Sequence, residues 1–437
     1  MKKIVLLIAI ILGLVGCSSP SPEPEGPVTL KVLVWNEELF YDRYGKYFIA
    51  VHPDYELDIV SVLDHMERSG DNVNDVLDQL LKRERPDVLV VPMNEYALLR
   101  EQGQLSALSI WIVRDELLDV QSFAPAVMNY LQDDQEEVHG LAPVFTGRAL
   151  YMNKQLFANE GIPLPTDRLT WEEVFALAQR FADSGGDEVI GLYHHRAENP
   201  YLMSLYVGEG SGLSLYQDDA FTLHTEAWTQ VFESVTACLR SGACSDGQQS
   251  ENNDRLNREA VEQSNMPFLT GNFAMAVDDS TLYRTLMTEP ERYSHLEWAV
   301  VPLPTSAAHP DLGNVVQMHD VFALPADAPQ AAQGWELIRY VSSEEYAKLL
   351  PQLNPIALPV RVPDEQNDGL SAFYELERTV NGMAESLRKL PYDVLIRMDE
   401  LSPTYMEAMS SGRMTVTDAL EELEAELQTT YDAAKTE

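Results

Sequence analysis

The chain has 437 residues, 45% hydrophobic and 23% charged, with 23 glycines and 25 prolines. That is a globular profile of about two or three domains, and it excludes a wholly disordered or collagen-like chain. Seventy acidic residues against thirty basic ones give a net charge of −40; such a field repels phosphate backbones and anionic headgroups, which argues against nucleic-acid binding and against membrane attachment through surface charge.

Lys2 and Lys3 precede an unbroken apolar or glycine run from Ile4 to Val15. The run is well short of the ~20 residues that span a bilayer and has the length of a signal-peptide core. Leu14-Val15-Gly16-Cys17 resembles the bacterial lipobox, in which the cysteine is lipidated and becomes the mature first residue. The expectation is a signal peptide over 1–16 and a diacylated Cys17; a plain secretory signal with an incidental cysteine is the alternative. Residues 17–28 then form a proline-rich linker, an extended spacer that buries nothing. The expected location is the extracytoplasmic face of the cell membrane, held by lipid.

Thr29 to Val34 reads as a first strand, ending at Trp35-Asn36-Glu37-Glu38, with a second strand at about 56–62. Asp71 is a candidate cap for a helix whose apolar positions Val73, Val76, Leu77, Leu80 and Leu81 recur at helical spacing. Val88 to Val91 suits a strand buried on both faces, and Tyr96 to Gln102 a helix closed by Gly103. This alternation of strand and helix predicts a parallel α/β sheet. Ala149 to Met152 reads as a strand of a second lobe. Thr170-Trp171-Glu172-Glu173 fits a capping box, and Trp171, Val174, Phe175, Ala178 and Phe181 mark the buried face of the helix it opens. Strands are expected at Phe273–Val277 and Trp298–Pro304, and a final helix capped at Thr417 carries Leu420, Leu423 and Leu427 on one face.

The chain contains no His-Glu-x-x-His, Gly-x-x-x-x-Gly-Lys-Ser/Thr or Gly-x-Ser-x-Gly motif. Gly208-Glu209-Gly210-Ser211-Gly212 lacks the lysine of a phosphate loop and reads as a flexible surface loop. His194-His195 reads as a neutral structural pair, since adjacent side chains tend to point apart and share no metal. Asp278-Asp279 follows a strand end, where α/β proteins place ligand groups. Either ligand contact or a capped turn fits it, and catalysis by a carboxylate pair would need a facing geometry that sequence does not show. Cys238 and Cys244 are close enough in sequence to bond outside the cytoplasm, and the spacing leaves open whether they do. No metal or cofactor is expected.

The motifs add up to a resemblance. Arg85-Pro86-Asp87-Val88, Gly103-Gln104-Leu105, His139-Gly140-Leu141-Ala142-Pro143, the run from Ala149 to Phe157, Gly161-Ile162-Pro163, Thr170-Trp171-Glu172-Glu173, the run from Phe268 to Met275, Val301-Pro302-Leu303-Pro304, the run from Tyr340 to Tyr346 and Thr417-Asp418-Ala419-Leu420 occur in that order. The chain thereby resembles bacterial extracellular solute-binding proteins of family 1, the maltose and sugar-binding lipoproteins of ABC importers. The resemblance implies the two-lobed, type II periplasmic-binding-protein fold, with the ligand in a cleft between lobes joined by crossing segments. Lobe one is expected at 29–143 with 274–325, and lobe two at 144–273 with 326–437.

The same resemblance implies a non-enzymatic receptor that captures a small solute, most readily a carbohydrate, and hands it to the subunits of an ABC permease. An exported saccharide-acting enzyme and a ligand-sensing module for a sensor kinase are the rival readings. Cleft positions carry over as Trp35, Asn36 and Glu37, as Met93, Asn94 and Glu95, as Phe145 and Arg148, and as Asp278, Asp279 and Ser280; Tyr201 and Gln317 are added more weakly. Trp35 suits the apolar face of a pyranose, though core or lobe-interface packing would use it equally well, and for Met93 such packing is the first reading. Many sugar-binding relatives carry tryptophan where this chain has Asp278-Asp279-Ser280, and two aspartates there would welcome an amine or guanidinium.

Overall fold

The computed structural model describes residues 27–66, 73–115, 118–184, 189–245, 266–313, 316–354, 357–363, 369–375, 378–379, 386–387 and 389–435. The signal segment, Cys17, nearly all of the proline-rich linker and Asp71 lie outside the described residues.

The first sheet forms where the chain alternates strand and helix. Strands β1 (Val28–Val34) and β2 (Tyr55–Ser61) pair in parallel along their whole length, and β3 (Val88–Val91) pairs in parallel with β1 on its other side. All four β3 residues are buried, as a short apolar run between turn signals predicts. Asp87, just before β3, is 2% exposed. Its carboxylate accepts from the Lys31 N–H and the Gln330 N–H, both at 2.9 Å, so the Pro-Asp pair ties β1 and β3 to a later helix. Helices α1 (Val73–Glu84) and α2 (Met93–Glu101) provide the crossings, α2 beginning three residues before the expected Tyr96 because Pro92 occupies its cap position. A short strand, β4 (Gly140–Leu141), completes this half.

The second sheet is built on β5 (Val144–Asn153), with β6 (Ile190–His194), β7 (Phe273–Asp279) and β8 (Trp298–Pro302) in the order β8-β5-β7-β6. Two-residue β9 (Val316–Gln317) pairs with β5, and β10 (Val321–Ala323) then enters the first sheet, antiparallel to both β3 and β4. The first sheet therefore runs β2-β1-β3-β10-β4. Finally β11 (Leu358–Pro359) pairs with Val144 and Phe145 of β5.

This topology corrects the expected lobe division. Residues 273–302 belong with the second sheet, because β7 pairs with β5 and β6 and β8 pairs with β5. Only β10 of the 274–325 segment joins the first sheet. An apolar strand's own residues state that it is buried but not which sheet buries it.

Helix α3 (Trp171–Ser184) covers the second sheet. Its capping box is complete: the Thr170 N–H donates to Glu173 Oε2 at 2.8 Å, and the Glu173 N–H returns a bond to Thr170 Oγ1 at 3.2 Å. Helices α4 (Pro200–Gly210) and α5 (Glu226–Arg240) follow. The glycine run expected to be a surface loop is mostly the buried end of α4. A Cβ on Gly208 would meet the Trp228 ring at 2.1 Å, so glycine is there to let two helices approach, and only Gly212, at φ +81°, makes a turn.

Past α6 (Ser280–Thr288), helix α7 (Ala331–Val341) packs on β1, in the first lobe rather than the expected second. Helices α8 (Tyr392–Ser410) and α9 (Val416–Ala434) build a separate core with α4 and α5, in which Phe232, Leu420, Leu423 and Leu427 are fully buried. The α9 cap is Thr415 rather than Thr417: the Asp418 N–H donates to Thr415 Oγ1. Cys238 and Cys244 form a disulfide with Cα atoms 5.1 Å apart, at the end of α5.

Candidate functional site

Three segments cross between the sheets, and they meet at the start of β5. There Val144 and Phe145 pair with Pro359 and Leu358, while Thr146 and Gly147 pair with Gln317 and Val316. The C-terminal ends of β1 and β3 point at this crossing, and crevices outside strand ends are where open α/β sheets hold ligands. A cavity of about 310 Å³ lies here, walled by Trp35, Asn36, Leu39, Phe40 and Arg43 after β1, Val90 and Pro92 around the end of β3, Val144, Phe145 and Thr146 of β5, and Gln317, His319, Asp320, Asn354 and Ala357 of the other crossings. A hollow of about 520 Å³ sits against Trp171, Phe175 and Gln230; it is away from the strand ends and no crossing reaches it.

Four of the expected residues come together in the cavity wall. Trp35 is half-buried as β1 ends, Phe145 of β5 touches the wall while itself 1% exposed, and Asn36 and Gln317 add polar groups. Asn36 Oδ1 also accepts from the Leu39 N–H at 2.8 Å, capping the short helix Glu37–Phe40. Glu37 lines an adjoining acidic depression with Asp42 and Asp64.

Of the two parts open to Met93, cleft contact and packing, the structure shows packing. Met93 is 5% exposed and clamps the segment that follows β9: its N–H donates to the Met318 carbonyl at 3.0 Å, and its Sδ accepts from the Met318 N–H at 3.4 Å. That clamp presents Gln317, His319 and Asp320 to the cavity. Asn94 and Glu95 continue along α2 without lining it.

The remaining expected residues lie in the second lobe. Arg148 shares a face of β5 with Thr146 about 7 Å away, and its guanidinium lies 5.6 Å from the centre of the Tyr206 ring. Tyr201 is buried in α4 against Phe232. Asp279 caps α6 by accepting from the Thr281 N–H at 2.8 Å, and Ser280 is fully buried. Burial, with the neighbouring Asp279 charge, pushes the Asp278 carboxyl up to about 7. The His194 and His195 rings lie with centres 4.5 Å apart, tilted by 30° rather than pointing apart, and burial, with Arg148 and Arg196 nearby, holds the His194 imidazole well below its usual value, at about 3. The Asp279 carboxylate thus makes the capped turn, and the Asp278 carboxyl beside it is buried.

Sequence reasoning missed Arg43, Thr146, His319, Asp320 and Asn354. Closeness in the chain to Phe145, Gln317 or Glu37 was the only signal for the first four, and Asn354, far from every chosen position, had none. Among the described residues no cluster of histidine, cysteine or carboxylate side chains could hold a metal ion, and no helix is long and apolar enough to cross a membrane.

Residues 34–348 match the family described as bacterial extracellular solute-binding protein. No protein among those of curated function matches the chain. Among solved structures, the sugar-binding protein MalE from Xanthomonas citri is 16% identical with a TM-score of 0.65, covering 93% of this chain and 98% of that one. A sugar transporter from Rhizobium etli, in an open conformation, is 16% identical with a TM-score of 0.62, covering 92% and 99%. An ABC transporter solute-binding protein from Agrobacterium radiobacter, in complex with ribitol, is 16% identical with a TM-score of 0.55, covering 93% and 100%. At these identities the likeness is one of fold.

Proposed function

Since the chain belongs to the bacterial extracellular solute-binding proteins, we propose that it captures a small carbohydrate or sugar alcohol in the cavity between its lobes and delivers it to an ABC permease. The observation that carries this reading is the cavity itself: the half-buried Trp35 ring shares its wall with amide and charged groups of Asn36, Arg43, Gln317, Asp320 and Asn354, over a floor that includes the buried Phe145. A sugar ring has an apolar face for the first and a belt of hydroxyls for the second. A volume of about 310 Å³ is at the small end of ligand sites, which suits one or two rings.

The lobes are taken as the two sheets with their helices, the first ending near Pro143 and resuming after β9, the second receiving the chain again after β11. Ligand contacts made by both lobes favour the closed arrangement, and a membrane partner that distinguishes open from closed reads occupancy. Cys17 with its lipid and the proline-rich spacer would hold this acidic protein beside that partner.

The test is a thermal-shift screen of the protein against sugars, sugar alcohols, polyamines and amino acids, with each solute assayed for chemical change. A ligand at 100 times its dissociation constant adds about 2.7 kcal/mol to stability. A shift with solute recovered intact supports the receptor, and recovery of a product sinks it in favour of an enzyme. Separately, Cys17→Ser is expected to move the protein from the detergent phase to the aqueous phase; continued detergent partitioning would dispose of the lipid anchor.

A further inference from the structure

The hollow of about 520 Å³ beside α3 shares no wall residue with the cavity between the lobes. Its apolar part comes from three helices: Phe175 with Trp171 on α3, Val207 and Leu213 at the end of α4, and Val231 on α5. The Trp171 and Phe175 rings lie 6.0 Å apart, the first buried and the second half-buried. The opposite wall is fixed by backbone. Gly212 turns the chain at φ +81°, a Cβ there would meet the His309 ring at 2.8 Å, and the His309 N–H donates to Ser306 Oγ at 3.1 Å.

The rim carries one sign of charge. Glu172 of α3 and Glu233 of α5 are exposed at the hollow, and among the described residues neither carboxylate has an ion pair or a hydrogen bond. No lysine or arginine among the described residues lines it. Two hydroxyl protons of the wall are already committed: Ser234 Oγ donates to the Gln230 carbonyl at 2.8 Å, and Ser211 Oγ to the Val207 carbonyl at 2.9 Å. Free helix N-termini would favour an anion, but both are closed here, α3 by the Thr170–Glu173 box and α5 by Thr225 Oγ1, which accepts from the Trp228 N–H at 3.3 Å. Gln230 and Glu233 also border a second depression with Glu226, so the acidic side continues along α5.

We infer that this hollow is a second ligand site, for a small organic cation: a primary ammonium carried on an apolar body. The inference is independent of the receptor reading, which concerns the other cavity. The carboxylates and serine oxygens of the wall accept, and an ammonium brings three donors and no acceptor. Its apolar body leaves water against Phe175, Leu213 and Val231. An anion would face two carboxylates with no cation beside them, and a neutral solute would gain the apolar contact alone. The net charge of −40 raises the local concentration of any cation. Because Glu172 and Glu233 are exposed, each contributes modestly and salt weakens the contact.

The test is calorimetric titration of the full chain with 2-phenylethylamine. Three further probes each change one feature: 2-phenylethanol lacks the charge, 3-phenylpropanoate reverses it, and ethylamine lacks the body. Only 2-phenylethylamine is expected to bind, more weakly as sodium chloride is added. Glu172→Gln and Glu233→Gln are each expected to raise its Kd about two- to five-fold, and Glu233→Lys by more, about ten-fold. Melting temperatures should hold, since neither carboxylate has a partner in the fold.

No binding of 2-phenylethylamine would overturn the inference. So would an unchanged Kd in both Gln variants, which would seat the amine elsewhere, and so would equal binding of 2-phenylethanol, which would leave an apolar hollow indifferent to charge. The peptide lysyl-phenylalanyl-lysine is titrated in parallel. Binding of the peptide far more tightly than the amine would make the hollow a docking site for a basic protein segment and overturn the small-molecule assignment. None of these results bears on the cavity between the lobes, whose reading stands or falls by the solute screen.

Discussion

Trp35 stands half-buried where β1 ends, so its ring is divided between packing and the cavity. Trp35→Ala is expected to weaken ligand binding by about 1–3 kcal/mol while the protein stays folded, and titration calorimetry with circular dichroism measures both. An unchanged Kd would leave the ring a packing group alone. Acid and base act on a different pair of residues. Asp278 binds its proton at about 7 in the fold against about 3.9 in an unfolded chain. The stability this contributes is complete below the unfolded value and is lost as pH rises through about 7. His194 runs the other way, with about 3 in the fold against about 6.5 unfolded. Its contribution is complete above the unfolded value and drains as pH falls toward the folded one. Asp278→Asn keeps the acceptor for the Asp279 N–H and removes the buried charge. It is expected to be more stable than the parent by about 2–4 kcal/mol at pH 8 and equal to it near pH 4, by urea unfolding at each pH. Equal stability at pH 8 would mean that Asp278 is not buried as a carboxylate.

Single elements were legible where local chemistry decides them. The Thr170–Glu173 box, the four-residue β3 and the Leu420, Leu423 and Leu427 stripe depend on neighbours within one or two turns. The end of α4 was not legible, because Gly208 is set by the indole of Trp228, twenty residues on, and glycine alone signals a loop. Gly208→Ala is expected to cost about 1–3 kcal/mol through overpacking, and a neutral result in denaturant titration would show that α4 and α5 can part without penalty. The disulfide joins the end of α5 to a segment that pairs with β6, where the Ser245 N–H donates to the Leu192 carbonyl at 2.9 Å. Replacing Cys238 and Cys244 together by serine is expected to remove about 2 kcal/mol of stability, the effect of a small closed loop. Hydrogen exchange should then rise first at Leu192 and Ser245.

For the whole molecule, the α/β class and the two-sheet plan followed from the order of motifs, but the partition of strands between sheets did not. β7 and β8 look alike in sequence to strands of either sheet, and pairing with β5 is a long-range event. The cavity divided in the same way. Trp35 and Phe145 were found because they follow strand ends, whereas Arg43, Asp320 and Asn354 reach the wall from three distant parts of the chain that only the crossings unite. Gly147 lies at that junction, and a Cβ there would meet the Phe373 ring at 3.0 Å and the Phe145 ring at 3.1 Å. Gly147→Val is expected to wedge the crossing, weaken ligand binding and reduce the ligand-induced fall in radius of gyration seen by small-angle X-ray scattering. An unaltered contraction would show that the junction has room to spare.

The crossing has a mechanical consequence. A single linker would let the lobes swivel, tilt and slide independently. Here β9 and β11 are each laddered to two residues of β5, together covering Val144 to Gly147, which makes a narrow ribbon. A ribbon flexes readily out of its own plane, but in-plane shear or rotation must stretch its hydrogen bonds. Motion between the lobes, on the receptor reading proposed above, would follow one angular coordinate, like a door rather than a ball joint. On that reading, a solute too large or too small for the cavity would halt the swing at the wrong angle, and the surface offered to a membrane partner would then report ligand size as well as presence.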